Sequence, residues 1–239
     1  MNSLTILVPT RGRPDNLAAL WQAFAETCTG ETRLQAWVDD DDPQLEAYEQ
    51  VHRAAYDDGS AREDDPRFLL MVGPRLRLGP TLNIAAPNAA DWADAVGFMG
   101  DDHRPKTPGW DTRYMAALER LGTGIVYGND LIQGRALPTQ MAMTSDIIKA
   151  TGHIVPPGAI HLWLDNAWLA LGEALGAITY LPDVVVEHQH PIAGKAQWDA
   201  GYAECNTDAV STADRQVFEQ WRQQDLPRWV EQVRRYSRV

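Results

Sequence analysis

AVGFMGDDH, residues 95–103, is a short apolar run that ends in two carboxylates and an imidazole. A run of this length bounded by glycine predicts a buried strand, here Ala95–Gly100. Asp101 and Asp102 then stand at the strand's carboxyl end, with no cation before Arg104. Two uncompensated carboxylates repel, and a divalent cation is the usual way to stabilise them. Oxygen ligands suit Mg²⁺ or Mn²⁺, and the neighbouring imidazole of His103 tilts the choice toward Mn²⁺. Asp-Asp is also frequent in turns, so the pair alone leaves both readings open.

Upstream, the same alternation of strand and helix repeats. Leu4–Pro9 reads as a strand, Pro14–Thr27 as a helix with Leu17, Leu20, Trp21 and Phe24 on one face, and Arg33–Val38 as a second strand. Gln44–Tyr56 is helical, Arg67–Gly73 a third strand, and Thr81–Trp92 a helix interrupted near Pro87. Strands separated by helices of this length predict an α/β fold with a mostly parallel sheet flanked by helices. In such sheets ligands bind beyond the carboxyl ends of the strands. Three of those ends are chemically loaded: Pro9-Thr10-Arg11-Gly12-Arg13, Asp39 to Asp42, and Asp101-Asp102-His103. Asp39 directly follows its strand and is placed to accept from a base N–H or a ribose hydroxyl. Asp41 and Asp42 precede Pro43 and suit a helix start.

The second half is less regular. Gly124–Tyr127 and Pro182–Glu187 read as strands, Ser145–Thr151 and Leu162–Leu175 as helices, and Ser211–Val239 as two polar helices separated at Pro227 and anchored by Trp221 and Trp229. His188 and His190, two apart on an extended segment, point to one side and offer a metal ligand, with either one open as the choice. Asp165 lies among apolar and aromatic residues in HLWLDNAW, where a raised pKa would suit a general base. A helix cap is the plainer alternative. Arg11, Arg13, Arg75 and Arg77 are candidates for pyrophosphate contacts. Trp110 is either a residue that stacks on a ligand or, by its bulk, a core residue, and Arg104 and Lys106 beside it could line a cleft.

Composition bounds the rest. The 239 residues are 44% apolar and 23% charged, which excludes disorder as the main state. The longest apolar stretch, His161–Leu181, is broken by Asp165, Asn166 and Glu173, so no membrane span is expected. The N-terminus lacks a basic segment before a long apolar run, and no signal peptide is expected. A net charge of −12 argues against non-specific coating of nucleic acid but allows a local basic groove. Cys28 and Cys205 suit two reduced thiols and a cytoplasmic location.

These pieces resemble a known family. ILVPTRGRPDNL (residues 6–17) resembles the opening of family 2-type glycosyltransferases of the GT-A fold, a strand followed by Pro-Thr-x-x-Arg and a helix. Asp39 falls at that family's nucleobase-contacting aspartate, and LGPTLNIAA (Leu78–Ala86) at a segment that usually ends in Arg-Asn, with Asn83 in the matching place. GFMGDDHRPKTPGWD (Gly97–Asp111) resembles its metal-binding Asp-x-Asp strand and the Pro-Gly-Trp that follows. Asp165 matches its catalytic acid pair, and His188 its third metal ligand. Two positions depart: Gly100 replaces the first Asp of Asp-x-Asp, and Asn166 leaves one carboxylate in the acid pair. The Gln-x-x-Arg-Trp motif of processive synthases is missing, and the wording around Asp165 and His188 looks like glycosyltransferase-like proteins often encoded by bacteriophages.

The resemblance implies a GT-A-like domain over residues 1–194 and a C-terminal helical extension, 195–239, packed on it. It implies a metal-dependent, inverting transferase moving a single sugar from a nucleotide-diphosphate sugar, UDP-sugar favoured. Asp102 and His188 would hold Mn²⁺ or Mg²⁺. Pro9, Thr10, Arg11, Asp39, Arg77, Asn83 and Asp101 would hold the donor, and Asp165 would be the base. The acceptor stays open between small molecule, protein and modified DNA. A non-catalytic sugar-nucleotide or glycan-binding module on a degenerate fold is the alternative, and a metal-dependent nucleotidyltransferase a third.

Overall fold

Leu4, Ile6 and Val8 face one side of the first strand and Leu7 the other, and all four are buried. A strand whose side chains alternate between two covered faces belongs at the centre of a sheet. The computed structural model, which describes residues 1, 3–57, 59–61 and 67–237, places it there. β1 (Ser3–Thr10), α1 (Pro14–Thr27), β2 (Glu31–Asp39), α2 (Leu45–Asp57), β3 (Phe68–Gly73), α3 (Leu78–Ala90) and β4 (Ala95–Phe98) form a parallel half. β5 (His103–Pro105), α4 (Trp110–Leu121), β6 (Ile125–Asn129), β7 (Met141–Thr144), α5 (Ser145–Thr151), α6 (Leu164–Leu175) and β8 (Ile178–His188) follow. The chain ends in α7 (Ala200–Cys205), α8 (Asp208–Gln224) and α9 (Leu226–Tyr236).

The sheet runs β3-β2-β1-β4-β7-β6-β8-β5. Its first half is parallel, as the strand–helix alternation predicts. Its second half is mixed: β7 is antiparallel to β4 and β6, β8 is parallel to β6, and β5 is antiparallel to β8. The sheet is mostly parallel, as expected from the sequence, with its antiparallel pairings confined to β7 and β5. β5 and β7, three and four residues long, are too short to carry a readable period.

Three local differences have clear causes. α3 runs through Pro87 without a break, because its Leu82, Ala85, Ala86, Ala89 and Ala90 face is buried and Pro87 falls in the last turn, where a lost bond costs least. Pro227 lies in the first turn of α9, a position that tolerates proline. α4, which the sequence reading did not assign, buries Trp110, Tyr114, Met115 and Leu118 at helical spacing. Trp110 is fully buried and is a core residue rather than a sugar platform.

Two apolar layers flank the sheet. α1, α2 and α4 cover the face of Ile6 and Val8. α3, α5, α6, α8 and α9 cover the face of Leu7 and Val96. Trp221 of α8 and Trp229 of α9 meet edge to face at 5.3 Å within that second layer. The C-terminal helices therefore share the apolar core of the sheet; residues 238 and 239 of that expected extension lie outside the described residues. No helix among the described residues is long and apolar enough to cross a membrane.

Trp229→Ala removes a buried aromatic from this shared layer and is expected to cost about 3–5 kcal/mol. Urea unfolding should show one transition at a lower midpoint. An unchanged midpoint would mean that the helices sit outside the cooperative core.

Candidate active site

The carboxyl ends of β1, β2 and β4 open on one edge of the sheet, and the register of β5 on β8 completes it. That register sets His103 directly opposite His188. Their rings stack with centroids 4.3 Å apart. Asp102 reaches both: its Oδ2 lies 3.2 Å from His188 Nε2 and its Oδ1 3.3 Å from His103 Nδ1. The ligand atoms of Asp102, His103 and His188 all lie within 4.8 Å of one another. His103 Nδ1 accepts from the Gly100 N–H at 3.0 Å. Its buried Nε2 has no hydrogen-bond partner among the described residues. One carboxylate and two imidazoles within reach of one another fit a transition-type divalent cation such as Mn²⁺.

The two aspartates have different partners. Asp101 accepts from Thr10 Oγ1 at 2.6 Å and lies 3.5 Å from Arg13. Thr10 in turn shares a hydrogen bond with Tyr48, whose hydroxyl accepts from the Arg13 N–H. Burial and the charge of Asp102 push Asp101 up to about 6, against the pull of Arg13 and Thr10. Burial would also raise Asp102, but His103 and His188 outweigh it and hold Asp102 well below the usual carboxylate range. One proton on the pair, carried by Asp101, is the arrangement this favours below pH 6. Burial, then the charge of His188, lowers His103 and keeps it neutral, the form that binds metal.

Asp165 lies in the first turn of α6, where its Oδ1 accepts from the Asn166 N–H at 2.9 Å. Desolvation lifts its pKa to about 6. His188 and Asp130 lie within electrostatic reach of it. His190 lies beyond the end of β8, where its Nδ1 accepts from the Ile192 N–H and its ring meets Tyr202 and Trp198. The backbone stays extended at His190, and its ring lies 5.1 Å from that of His188, on the same side as expected, but the group that meets Asp102 is His103 and His188.

The remaining candidates are distributed around this centre. Arg11 binds Asp39 at 2.9 Å and Asp41 at 2.5 Å. Burial raises the Asp39 pKa against that pairing. Asp42 accepts from Gly12 and Gln44 amides just ahead of α2. Pro9 stays within β1 opposite Trp37. Asn83 is drawn away from the ligand role expected for it: its amide accepts from the Ile154 and Val155 N–H groups and donates to the Val155 carbonyl. Arg104 donates to the Asp101 and His103 carbonyls.

α7 supplies what the sequence did not reveal. The Tyr202 hydroxyl donates to Asp102 Oδ2 at 2.6 Å. Asp199 binds Arg13 through two bonds of 2.6 and 2.7 Å. Glu204 binds Arg75 through both oxygens at 2.8 and 2.9 Å, and Arg77 at 2.6 Å. Contacts a hundred residues apart leave no trace in spacing. His103 was within reach of a sequence reading, standing beside Asp102, but its partner strand was not.

Solved structures share this arrangement of sheet and helices. A mannosyltransferase from Pyrobaculum calidifontis, solved with GDP-Man and Mn²⁺, superimposes with a TM-score of 0.60 at 12% identity, over 98% of this chain and 73% of its own. The fold is GT-A. Glucosyl-3-phosphoglycerate synthase from Mycobacterium tuberculosis, solved with Mn²⁺, UDP and glucosyl-3-phosphoglycerate, gives 0.59 at 12% identity over 90% and 78%. TarS of S. aureus gives 0.58 at 12% identity over 77% of this chain and 36% of that protein, so the chain spans about a third of its length. No protein-family model and no curated protein sequence matches the chain. In this fold the Asp102–His103–His188 group lies beyond the carboxyl end of β4.

Mn²⁺ is expected to raise the thermal midpoint of the native chain, since a ligand bound only by the folded state stabilises it by about 2.7 kcal/mol at a hundred times its Kd. His188→Ala should abolish that rise. An equal rise in His188→Ala would place the ion elsewhere.

Proposed function

We propose that the protein is a metal-dependent glycosyltransferase that moves one sugar from a nucleoside-diphosphate donor to an acceptor hydroxyl with inversion at the anomeric carbon. The observation that carries this reading is the Asp102–His103–His188 group, with Arg13 beside the neighbouring Asp101 and Arg75 beside Asp39. The GT-A neighbours solved with nucleotides and Mn²⁺ support it. Asp102, His103 and His188 would hold the ion, which when bound neutralises charge on the leaving diphosphate. Arg11 orients Asp39, whose second oxygen is left to accept the imide N–H of a uracil, so UDP is the first nucleotide to try.

Asp165 is the base. The acceptor oxygen forms a bond to the anomeric carbon as the bond from that carbon to the diphosphate oxygen breaks. The hydroxyl proton passes to Asp165, and the nucleoside diphosphate leaves with the electron pair. One carboxylate suffices for this single displacement, and Asn166 offers no second one as a nucleophile. A raised pKa makes the carboxylate a stronger base at the pH where it is still ionised.

Since Asp165 must be ionised to act, kcat should rise with pH through a midpoint near 6. The linkage has the opposite sign for stability. A carboxyl raised from 3.8 to about 6 on folding favours the folded state below pH 4 and loses that contribution as pH climbs to 6. Asp165→Asn should therefore abolish turnover, keep nucleotide binding and unfold at a higher temperature than the native chain at pH 7.5. Loss of nucleotide binding in this variant would overturn the assignment.

Calorimetric titration with UDP and GDP, with and without Mn²⁺, tests the donor site. Metal-dependent binding of one of them is expected, and no binding of either would favour the second reading, a binding module on a degenerate GT-A fold. What favours that reading is that Arg13, Arg75 and Arg77 are already paired by Asp199 and Glu204. In the transferase reading the donor diphosphate displaces these two carboxylates. The double variant Asp199→Asn, Glu204→Gln should then bind the nucleotide several-fold more tightly, and weaker binding would mean that α7 assists the donor rather than competing with it.

A further inference from the structure

The backbone that carries Asp165 is held from two sides. Residues 158–163 lead into α6, and Trp163 at their end has φ +65°, a left-handed conformation that costs a bulky residue of order 1–3 kcal/mol. Such a conformation persists only where the surroundings over-determine it. On one side, the Gly79 N–H at the start of α3 donates to the Ile160 carbonyl at 2.8 Å. The approach is so close that a Cβ at Gly79 would meet the Ala159 carbonyl oxygen at 2.0 Å. On the other side stands Asp214 of α8, 1% exposed. Its Oδ1 accepts from the Ile160 N–H at 2.8 Å, and its Oδ2 from the His161 and Leu162 N–H groups at 2.8 and 2.7 Å.

Three consecutive amides on one buried carboxylate form an anion-binding concavity of backbone, with charge-assisted bonds that are about twice as strong as neutral ones. Asp214 has no ion pair among the described residues. Its charge is matched by that turn. Neighbouring side chains of α8 finish the clamp: the Phe218 ring stacks on Trp163 at 5.6 Å, and the Arg215 guanidinium lies over the same indole at 5.5 Å. His161, within the clamped turn, is in electrostatic reach of Arg13, Arg77 and Asp102. Asp165 begins two residues after Trp163 and faces His188 and Asp130.

We infer that Asp214 is a positioning residue for the reaction: it fixes the turn that aims Asp165, and with it His161, at the donor, so the C-terminal helices are part of the catalytic unit. The inference rests on the transferase reading above for its catalytic consequence, and on the hydrogen bonds alone for its structural one. Asp214 is not catalytic, because both its oxygens are turned to backbone.

Asp214→Asn is the direct test. The amide keeps the shape, but its NH₂ must face either the Ile160 N–H or the His161 and Leu162 N–H groups, donor against donor both ways. Amide hydrogen exchange at residues 160–162 should accelerate at least tenfold relative to the core strands, with or without substrate. kcat should fall at least tenfold, its acid limb should move away from pH 6, and metal-dependent UDP affinity should stay within twofold. Asp214→Glu keeps the charge and should restore the acid limb in part; it also serves if the Asn variant does not fold. Val233→Ala removes packing from α9, where Val233 is buried, without touching the turn. It should lower the thermal midpoint yet leave the acid limb and these amides unchanged. Protected amides and an unmoved acid limb in Asp214→Asn would overturn the inference. If the native chain turns over no donor, the transferase reading fails by itself. The Asp165 carboxyl then reports by carbon-13 titration: a midpoint that moves in Asp214→Asn supports positioning, and one that does not move rejects it.

Discussion

Two adjacent carboxylates at the end of a buried strand set the terms for everything around them. Like charges 4 Å apart repel by about 4 kcal/mol at the effective dielectric of a protein near its surface, and Asp101 and Asp102 are both buried. The chain answers by separating their environments. Asp101 is turned to Thr10 and Arg13, and burial beside a second charge pushes it toward protonation. Asp102 is turned to two imidazoles and a tyrosine and stays ionised. The result is one anion facing two stacked imidazoles, which is the chemistry of a cation site.

That solution draws on the whole sheet. Thr10 and Arg13 come from the end of β1 and the turn behind it, His103 from β5 and His188 from β8. The antiparallel pairing of β5 with β8 brings the histidines into register, and so completes a group that starts at the ends of the parallel strands β1 and β4. The arginines that line its rim are balanced by α7. With Asp199 on Arg13 and Glu204 on Arg75 and Arg77, these arginines are neutralised by carboxylates from one short segment.

The C-terminal helices contribute in two chemically distinct ways. Trp221, Leu226, Trp229 and Val233 extend the apolar layer beneath α5 and α6. Asp214 does the opposite kind of work, placing a charge inside that layer, where three amides of residues 160–162 satisfy it. A buried charge is a poor source of net stability. Its value here lies in fixing one backbone conformation ahead of α6.

Sequence alone determined the parallel half and the chemistry of its strand ends. Apolar runs such as Leu4–Pro9 and Ala95–Gly100 are local signals, and the residue that follows a strand is placed by its position in the chain. Thr10, Asp39, Asp101 and Asp102 were legible for that reason, as was Asp165 in its apolar surroundings. α4 was legible too, in the spacing of Trp110, Tyr114 and Leu118, but its opening residues were read as a motif. Only the tertiary structure decided that His103 joins His188 on Asp102, that Asn83 is spent on the backbone of residues 154 and 155, and that Tyr202, Asp199 and Glu204 close over the arginines. These are contacts between residues about 70 to 190 positions apart. Spacing encodes periodicity within an element, and it carries no record of which element another is packed against.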